Sequence, residues 1–263
     1  TAGLTDRWEE ADRSKWRLHY STADLYAAAK ATPLAYEPGA RSQYSDQGYF
    51  LLGMIIEKVS GKSYRALLED RIFKPCGMEH ATTTSQTEIV PQIAQGYTRS
   101  QGKWLKNHRR TDYGIVSHFG VVASAVDLAR FAQTLVAGKL LKPETLRIAW
   151  TPTVTKGGVA QVGTAAYGMG WCLEELNGHR VVQHAGSTGT AVFLLPDDGV
   201  TVIVLTNLEQ LAGGDALGIA RLVAQAYVPG LRYADLQPKA DPAPDVGARL
   251  RSELANMARG QID

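Results

Sequence analysis

Apolar side chains from Leu51 to Val59 fall at helical spacing: Leu51, Leu52, Ile55, Ile56 and Val59 recur every three to four residues, and Gly61 follows as a stop. The polar tripeptide Tyr44-Ser45-Asp46 stands directly ahead, with Asp46 as the candidate cap. Side chains two apart in extended chain point the same way, so Tyr44 and Asp46 are expected to look into one cleft and Ser45 elsewhere. A second helix is predicted after Ser63, with Tyr64, Leu67, Leu68 and Ile72 on its stripe and Lys74-Pro75-Cys76-Gly77 at its end. Residues 1–43, rich in Trp, charge and small side chains, read as a rim or lid with one helix, Thr22–Ala31, and a turn at Pro38-Gly39.

Beyond Thr82 the pattern is mixed, with short strand-like pieces and a turn near Ser100-Gln101-Gly102. Ser124-Ala125-Val126-Asp127 is a capping box for a helix carrying Leu128, Phe131 and Leu135 and closed by Gly138. Pro143 opens a short helix to Ala149. The period then changes: Tyr167–Leu173 and Arg180–Gln183 flank the hairpin signal Asn177-Gly178, and Thr190–Leu195 and Val200–Leu205 flank Asp197-Asp198-Gly199. Three or four antiparallel strands follow from this, the last two so continuously apolar that both faces should be covered. Asp215 is placed to cap a helix whose Ile219, Leu222, Val223 and Ala226 form the face expected to lie across the sheet. A Pro- and Ala-rich linker, Gln237–Asp245, precedes a short amphipathic helix, Val246–Ala258. The pattern predicts an α+β fold, an antiparallel sheet flanked by helices plus a mostly helical region. Its domain spans 1–236, helical to about 150 and sheet-forming from about 151, and 237–263 forms a linker and terminal helix that could lead to a further domain.

Composition narrows the function classes. An apolar fraction of 44% across 263 residues suits a substantial core. A net charge of +2 with acids and bases intermixed argues against nucleic acid as the main partner. No apolar run is long enough for a transmembrane segment. Cys76 and Cys172 have neither metal-type nor disulfide-framework spacing and read as free thiols, and the histidines contain no His-x-x-x-His pair, so no metal or cofactor is expected. A metal-dependent hydrolase is the weakest reading on these grounds.

Two polar constellations remain. Tyr44-Ser45-Asp46 fits either a buried tyrosine beside a routine cap or a phenol that handles protons. His184-Ala185-Gly186-Ser187, at a strand end, fits either a hairpin-end histidine or a cleft-lining imidazole with backbone N–H groups beside it.

Taken in order, Tyr-Ser-Asp leading an apolar helix, SAVDLARF, YGMGW, and HAGSTG before VIVLTN resemble the serine β-lactamase-like hydrolases. That family includes penicillin-binding proteins, class C β-lactamases, esterases and D-amino-acid peptidases. The opening TAGL is similar to the family's Thr-Ser-Gly-Leu segment. The resemblance implies a β-lactamase/transpeptidase-like fold and a periplasmic or secreted setting. It makes Tyr44 and His184 catalytic: Tyr44 the proton-shuttling phenol, and His184 standing where many members carry the Lys of Lys-Thr-Gly. Asp46 occupies a substrate-contacting position that usually holds Asn, and Gly186 and Ser187 border the substrate, the Ser187 N–H supplying half of an oxyanion hole.

The family's nucleophile is the Ser of a Ser-x-x-Lys motif opening a buried helix. The one such spacing in the chain, Ser100-Gln101-Gly102-Lys103, is rejected because Gln-Gly is a turn and lies after Tyr44 rather than before it. The chain therefore reads as incomplete at its N-terminus, its partner being a missing segment of the same protein that carries the nucleophile and the first strands, with a bare edge left on Val200–Leu205 or its neighbour. A histidine near ~6.5 is mostly neutral at neutral pH, so an ester or amide without a strict carboxylate, an acyl ester or an N-terminal D-amino-acid peptide, is the expected small-molecule or peptide substrate. A non-catalytic binding or scaffolding member of the same fold is the alternative.

Overall fold

The computed structural model describes residues 1–4, 21–83, 89–106, 117–209, 216–231 and 252. Residues Thr1–Leu231 form one compact unit; Arg232–Asp263 form a second, of which Ser252 alone is described. The expected cap Asp215, the linker Gln237–Asp245 and most of the helix Val246–Ala258 lie outside the described residues.

Local signals fix most helices. Helix α1, Thr22–Ala31, starts at Ser21, whose hydroxyl accepts from the Asp24 N–H while the Asp24 carboxylate accepts back from Ser21. Helix α2 is Asp46–Ser60 and stops at Gly61, which adopts a left-handed φ of 67°. Its cap is Ser45, which accepts from the Gly48 N–H, and not Asp46. The hydroxyl of Ser45 is the better cap because the Asp46 carboxylate is engaged by Tyr44. Ser63 caps α3, Tyr64–Leu68, which passes through a π turn, Glu69–Phe73, into α4, Lys74–Cys76. The Ser124–Asp127 capping box opens α5, Ala125–Val136, and α6 is Pro143–Ala149.

Short strands precede the main sheet. Strand β1 (Thr82–Thr83) pairs with β4 (Val121–Val122), β2 (Tyr97–Ser100) with β3 (Lys103–Lys106), and β5 (Val154–Thr155) with β6 (Gly158–Val159). The main sheet is built from β7 (Gln161–Val162), β8 (Ala165–Tyr167), β9 (Cys172–Leu176), β10 (His179–Gly186), β11 (Thr190–Leu195) and β12 (Val200–Leu205). These six lie antiparallel in the order β12-β11-β10-β9-β8-β7, and β13 (Leu208–Glu209) leaves the sheet to run parallel to β2. The hairpin β9–β10 turns at Asn177 and Gly178, both at positive φ, as the sequence predicts. The predicted strand Tyr167–Leu173 is not one strand but the connection between two. Gly170 turns at φ 80°, and Gly168 lies so close to the Ala149 and Thr151 carbonyls that no side chain fits. Ser100 and Lys103 pair across the tight turn joining β2 to β3, with Gln101 and Gly102 at positive φ. That Ser-x-x-Lys spacing is a hairpin tip, not a helix start.

Helix α7, Ala216–Tyr227, packs on one face of β11 and β12, and α5 packs against β12 on the other. Val181, Phe193 and Leu195 meet Ala216, Ala220 and Ala224 of α7. Ala132 of α5 meets Val182 and Leu194 on the opposite face. Burying a side chain such as Phe193 stabilises by about 1.5–3 kcal/mol. The side of α7 turned to the sheet is its alanine side, because small residues let the helix sit close over Phe193. Ile219, Leu222 and Val223, expected at the sheet, are exposed instead. Likewise α2 buries Gln47, Phe50 and Gly53, while Leu52, Ile55 and Val59 are exposed. No described strand pairs with the free side of β12, which is the sheet edge. No described helix is long and apolar enough to cross a membrane.

His118 sits between Phe50 and Phe119, ring centroids 6.1 and 4.3 Å away, and burial pushes its pKa down to about 4. An unfolded histidine titrates near ~6.5, so between the two values the unfolded chain binds more protons and stability falls as pH is lowered. Chemical denaturation at pH 7 and pH 4 should show up to about 3 kcal/mol of stability lost through this residue. His118→Gln should remove that part of the pH slope; an unchanged slope would mean that other groups carry it.

Candidate active site

The phenol of Tyr44 comes from extended chain just ahead of α2 and donates to the Asp46 carboxylate at 2.8 Å. Ser45, between them, turns the other way to cap the helix. In this state Tyr44 is a proton donor; to accept a proton from a nucleophile it needs a cation beside it to offset the carboxylate.

His184 comes from the far end of β10, on the same pleat face as Val182, which packs toward α5. Its Nδ1 lies 2.8 Å from the Ala185 carbonyl oxygen. A carbonyl only accepts, so Nδ1 carries the proton, and in the neutral ring Nε2 holds the lone pair. Gly186 pairs with Thr190 across β10–β11, and the turn over Ser187 closes when the Gly189 N–H donates to the Gly186 carbonyl at 3.0 Å. A Cβ on Gly186 would collide with the Thr190 hydroxyl, so an added methyl group needs Thr190 to turn or the strand end to give. Beside these residues lies an open cleft of about 230 Å³ lined by His184, Gly186 and Thr190 and by the apolar side chains of Leu128, Val192 and Leu205.

Two tyrosines that sequence reasoning did not single out as site residues tie the parts together. The Tyr167 hydroxyl, at the end of β8, is 3.0 Å from that of Tyr49 on α2, and its ring lies 6.2 Å from the His184 ring at an interplanar angle of 66°. Burial raises the Tyr167 pKa well above the usual phenol range; the Tyr49 hydrogen bond adds to this, and Tyr44 is near enough to contribute. A second tie runs beside it: the Gln161 N–H of β7 donates to Ser42 Oγ at 3.1 Å, two residues before Tyr44. The structure thus gathers Tyr44, Asp46, Tyr49, Tyr167 and His184 at one end of the sheet. Tyr167 could have been suspected only from its place in YGMGW; Tyr49 carries no signal of its own. Among the described residues no group of three His, Cys, Asp or Glu could hold a metal ion.

A family model described as Beta-lactamase matches residues 1–227, most of the chain. The chain belongs to the Beta-lactamase family. Among relatives of this family, a putative D-alanyl-D-alanine carboxypeptidase of Escherichia coli (strain K12) is 26% identical over 217 residues, covering 68% of this chain and 48% of that protein. The chain spans about half the length of such curated relatives. The Beta-lactamase fold recurs in a penicillin-binding protein from Bacillus halodurans (TM-score 0.72, 21% identity, 86% of this chain and 70% of that one). It recurs also in the D-amino acid amidase of Ochrobactrum anthropi SV3 (TM-score 0.67, 20% identity, 89% of this chain and 69% of that one).

Proposed function

We propose that the protein is a serine hydrolase that works through an acyl-enzyme on ester or amide substrates, suited more to short acyl esters or N-terminal D-amino-acid peptides than to penicillins. The observation that carries this reading is the imidazole at position 184, anchored through Nδ1 to its neighbour's carbonyl in a residue that lines the cleft. A group of this kind can exchange a proton with a leaving group but does not hold a carboxylate as a permanent cation does. Tyr44 is the proton shuttle, Asp46, Gly186 and Ser187 border the substrate, and the Ser187 N–H is one oxyanion donor. Removing one such donor costs about 10²–10³ in turnover in enzymes of this type.

The hydroxyl nucleophile is assigned to a part of the protein outside these 263 residues. Two things support that: the sequence has no Ser-x-x-Lys except the Ser100–Lys103 hairpin, and the relatives are about twice as long as the matched part. The open cleft next to His184, apolar on its Leu128–Val192–Leu205 side, offers a seat for the element that bears it. A cation carried on that element would favour the deprotonated form of Tyr44.

Intact mass spectrometry of the full-length natural protein after treatment with a serine-reactive phosphonate tests the assignment. One covalent adduct is expected, on a peptide outside this sequence. No adduct, on protein whose upstream sequence lacks Ser-x-x-Lys, would replace the hydrolase reading with a binding or scaffolding role.

A further inference from the structure

Tyr167 is joined to both halves of the site. Its ring meets the His184 imidazole obliquely at 6.2 Å, and its hydroxyl meets Tyr49 on the helix that follows Tyr44. Tyr49 is itself fixed at two further points: its N–H bonds to the Ser45 carbonyl, and its carbonyl accepts from the Ser117 hydroxyl at 2.8 Å. Gly170, three residues after Tyr167, lies against the Tyr49 hydroxyl; a Cβ there would stand 3.5 Å from it. The turn after β8, made possible by the positive φ of Gly170, thus runs in van der Waals contact with the Tyr49 hydroxyl.

We infer that Tyr167 is a positioning residue of this site: its ring holds the His184 imidazole in place, and its hydroxyl, bonded to Tyr49, sets the distance between that imidazole and the Tyr44 phenol. This rests on the hydrolase reading for its catalytic consequence but not for its geometry. Two side chains 140 residues apart in the chain, Tyr44 and His184, need a rigid spacer if a proton is to pass between groups bound to the same substrate. Among the described residues, helix α2 and strand β10 share no backbone hydrogen bonds; the Tyr49–Tyr167 pair joins α2 to β8, and the Tyr167 ring then meets His184 on β10. Burial favours the neutral form of the Tyr167 phenol, which keeps its hydroxyl available for the hydrogen bond to Tyr49. The ring and the hydroxyl do different jobs, so Phe and Leu at this position should behave differently.

The test uses the full-length natural protein and two readouts. In aromatic NMR spectra, with His184 assigned by loss of its signals in His184→Gln, the ring-current displacement of the His184 protons should persist in Tyr167→Phe and vanish in Tyr167→Leu. In ester kinetics, Tyr167→Phe and Tyr49→Phe should each lower kcat about five-fold with KM unchanged, and the double variant should be no worse than either single one. Tyr167→Leu should lower kcat about 100-fold, the scale of a misplacement near 1 Å. A purely structural role would lower Tm with additive kinetic losses. His184 signals indifferent to Tyr167→Leu would overturn the geometric claim even if the protein proved to have no hydrolase activity. An unchanged kcat in an active Tyr167→Leu enzyme would overturn the catalytic one.

Discussion

Tyr44→Phe is expected to lower kcat/KM of the full-length protein on a short acyl ester by about 10²–10⁴-fold, the range general acid–base catalysis contributes. The substitution deletes one oxygen, and that oxygen's bond to the Asp46 carboxylate, at 2.8 Å, is close to the surface. The fold does not rest on it: α2 is capped by Ser45 and held by the burial of Phe50, neither of which involves the phenol oxygen. Melting temperature should therefore move little, and the loss should fall on kcat more than on KM. The pH–rate profile should lose one limb, because one of the two groups exchanging protons has gone. A variant within three-fold of the parent at every pH would remove Tyr44 from the chemistry, whatever its place in the cleft.

Gly186→Ala should be nearly as damaging, for a different reason. A methyl group at this position runs into the Thr190 hydroxyl of the paired strand. Either Thr190 leaves its rotamer or the end of the β10–β11 ladder opens, and the expected loss follows from the second response, which carries the Ser187 N–H beside it out of place. Loss of one oxyanion donor is worth about 10²–10³ in turnover. Thr190→Ala removes the obstructing atom, so Gly186→Ala combined with Thr190→Ala should recover at least ten-fold over the single variant; strict multiplicativity of the two effects would show that the collision is not the cause. Steady-state kinetics of the four proteins decides it.

Elements with chemically specified ends were legible in the sequence. Helix α1 begins where Ser21 and Asp24 satisfy each other, α6 begins at Pro143, and the β9–β10 hairpin turns where Asn177-Gly178 tolerates positive φ. Which face of a helix is buried was less legible. On α2 and α7 the larger apolar side chains suggest a buried stripe, yet α7 turns its alanines inward, where small residues allow a close approach, and α2 buries the face of Gln47, Phe50 and Gly53 instead. The sequence points to Asp46 as the cap, whereas the hydroxyl one residue earlier serves. The turn at Gly168–Gly170 looks like strand from the sequence, because its apolar composition gives no hint of the Ala149 carbonyl pressed against it. Of the site, Tyr44, Asp46 and His184 were visible as motifs, but the phenol pair that ties them together joins residues 118 positions apart, and no local pattern reports such a contact.

The side of β12 that no described strand pairs with has a practical outcome for anyone expressing this polypeptide. Val200–Leu205 holds no charge and no proline, and it lies at the rim of the sheet near a helix that leaves Leu222 and Tyr227 in water. The strand's own residues carry none of the charges or prolines that discourage another molecule from adding a rung. Purification of these 263 residues by themselves will thus be governed by colloid behaviour, and dilute refolding or a fusion partner will matter more than the choice of assay.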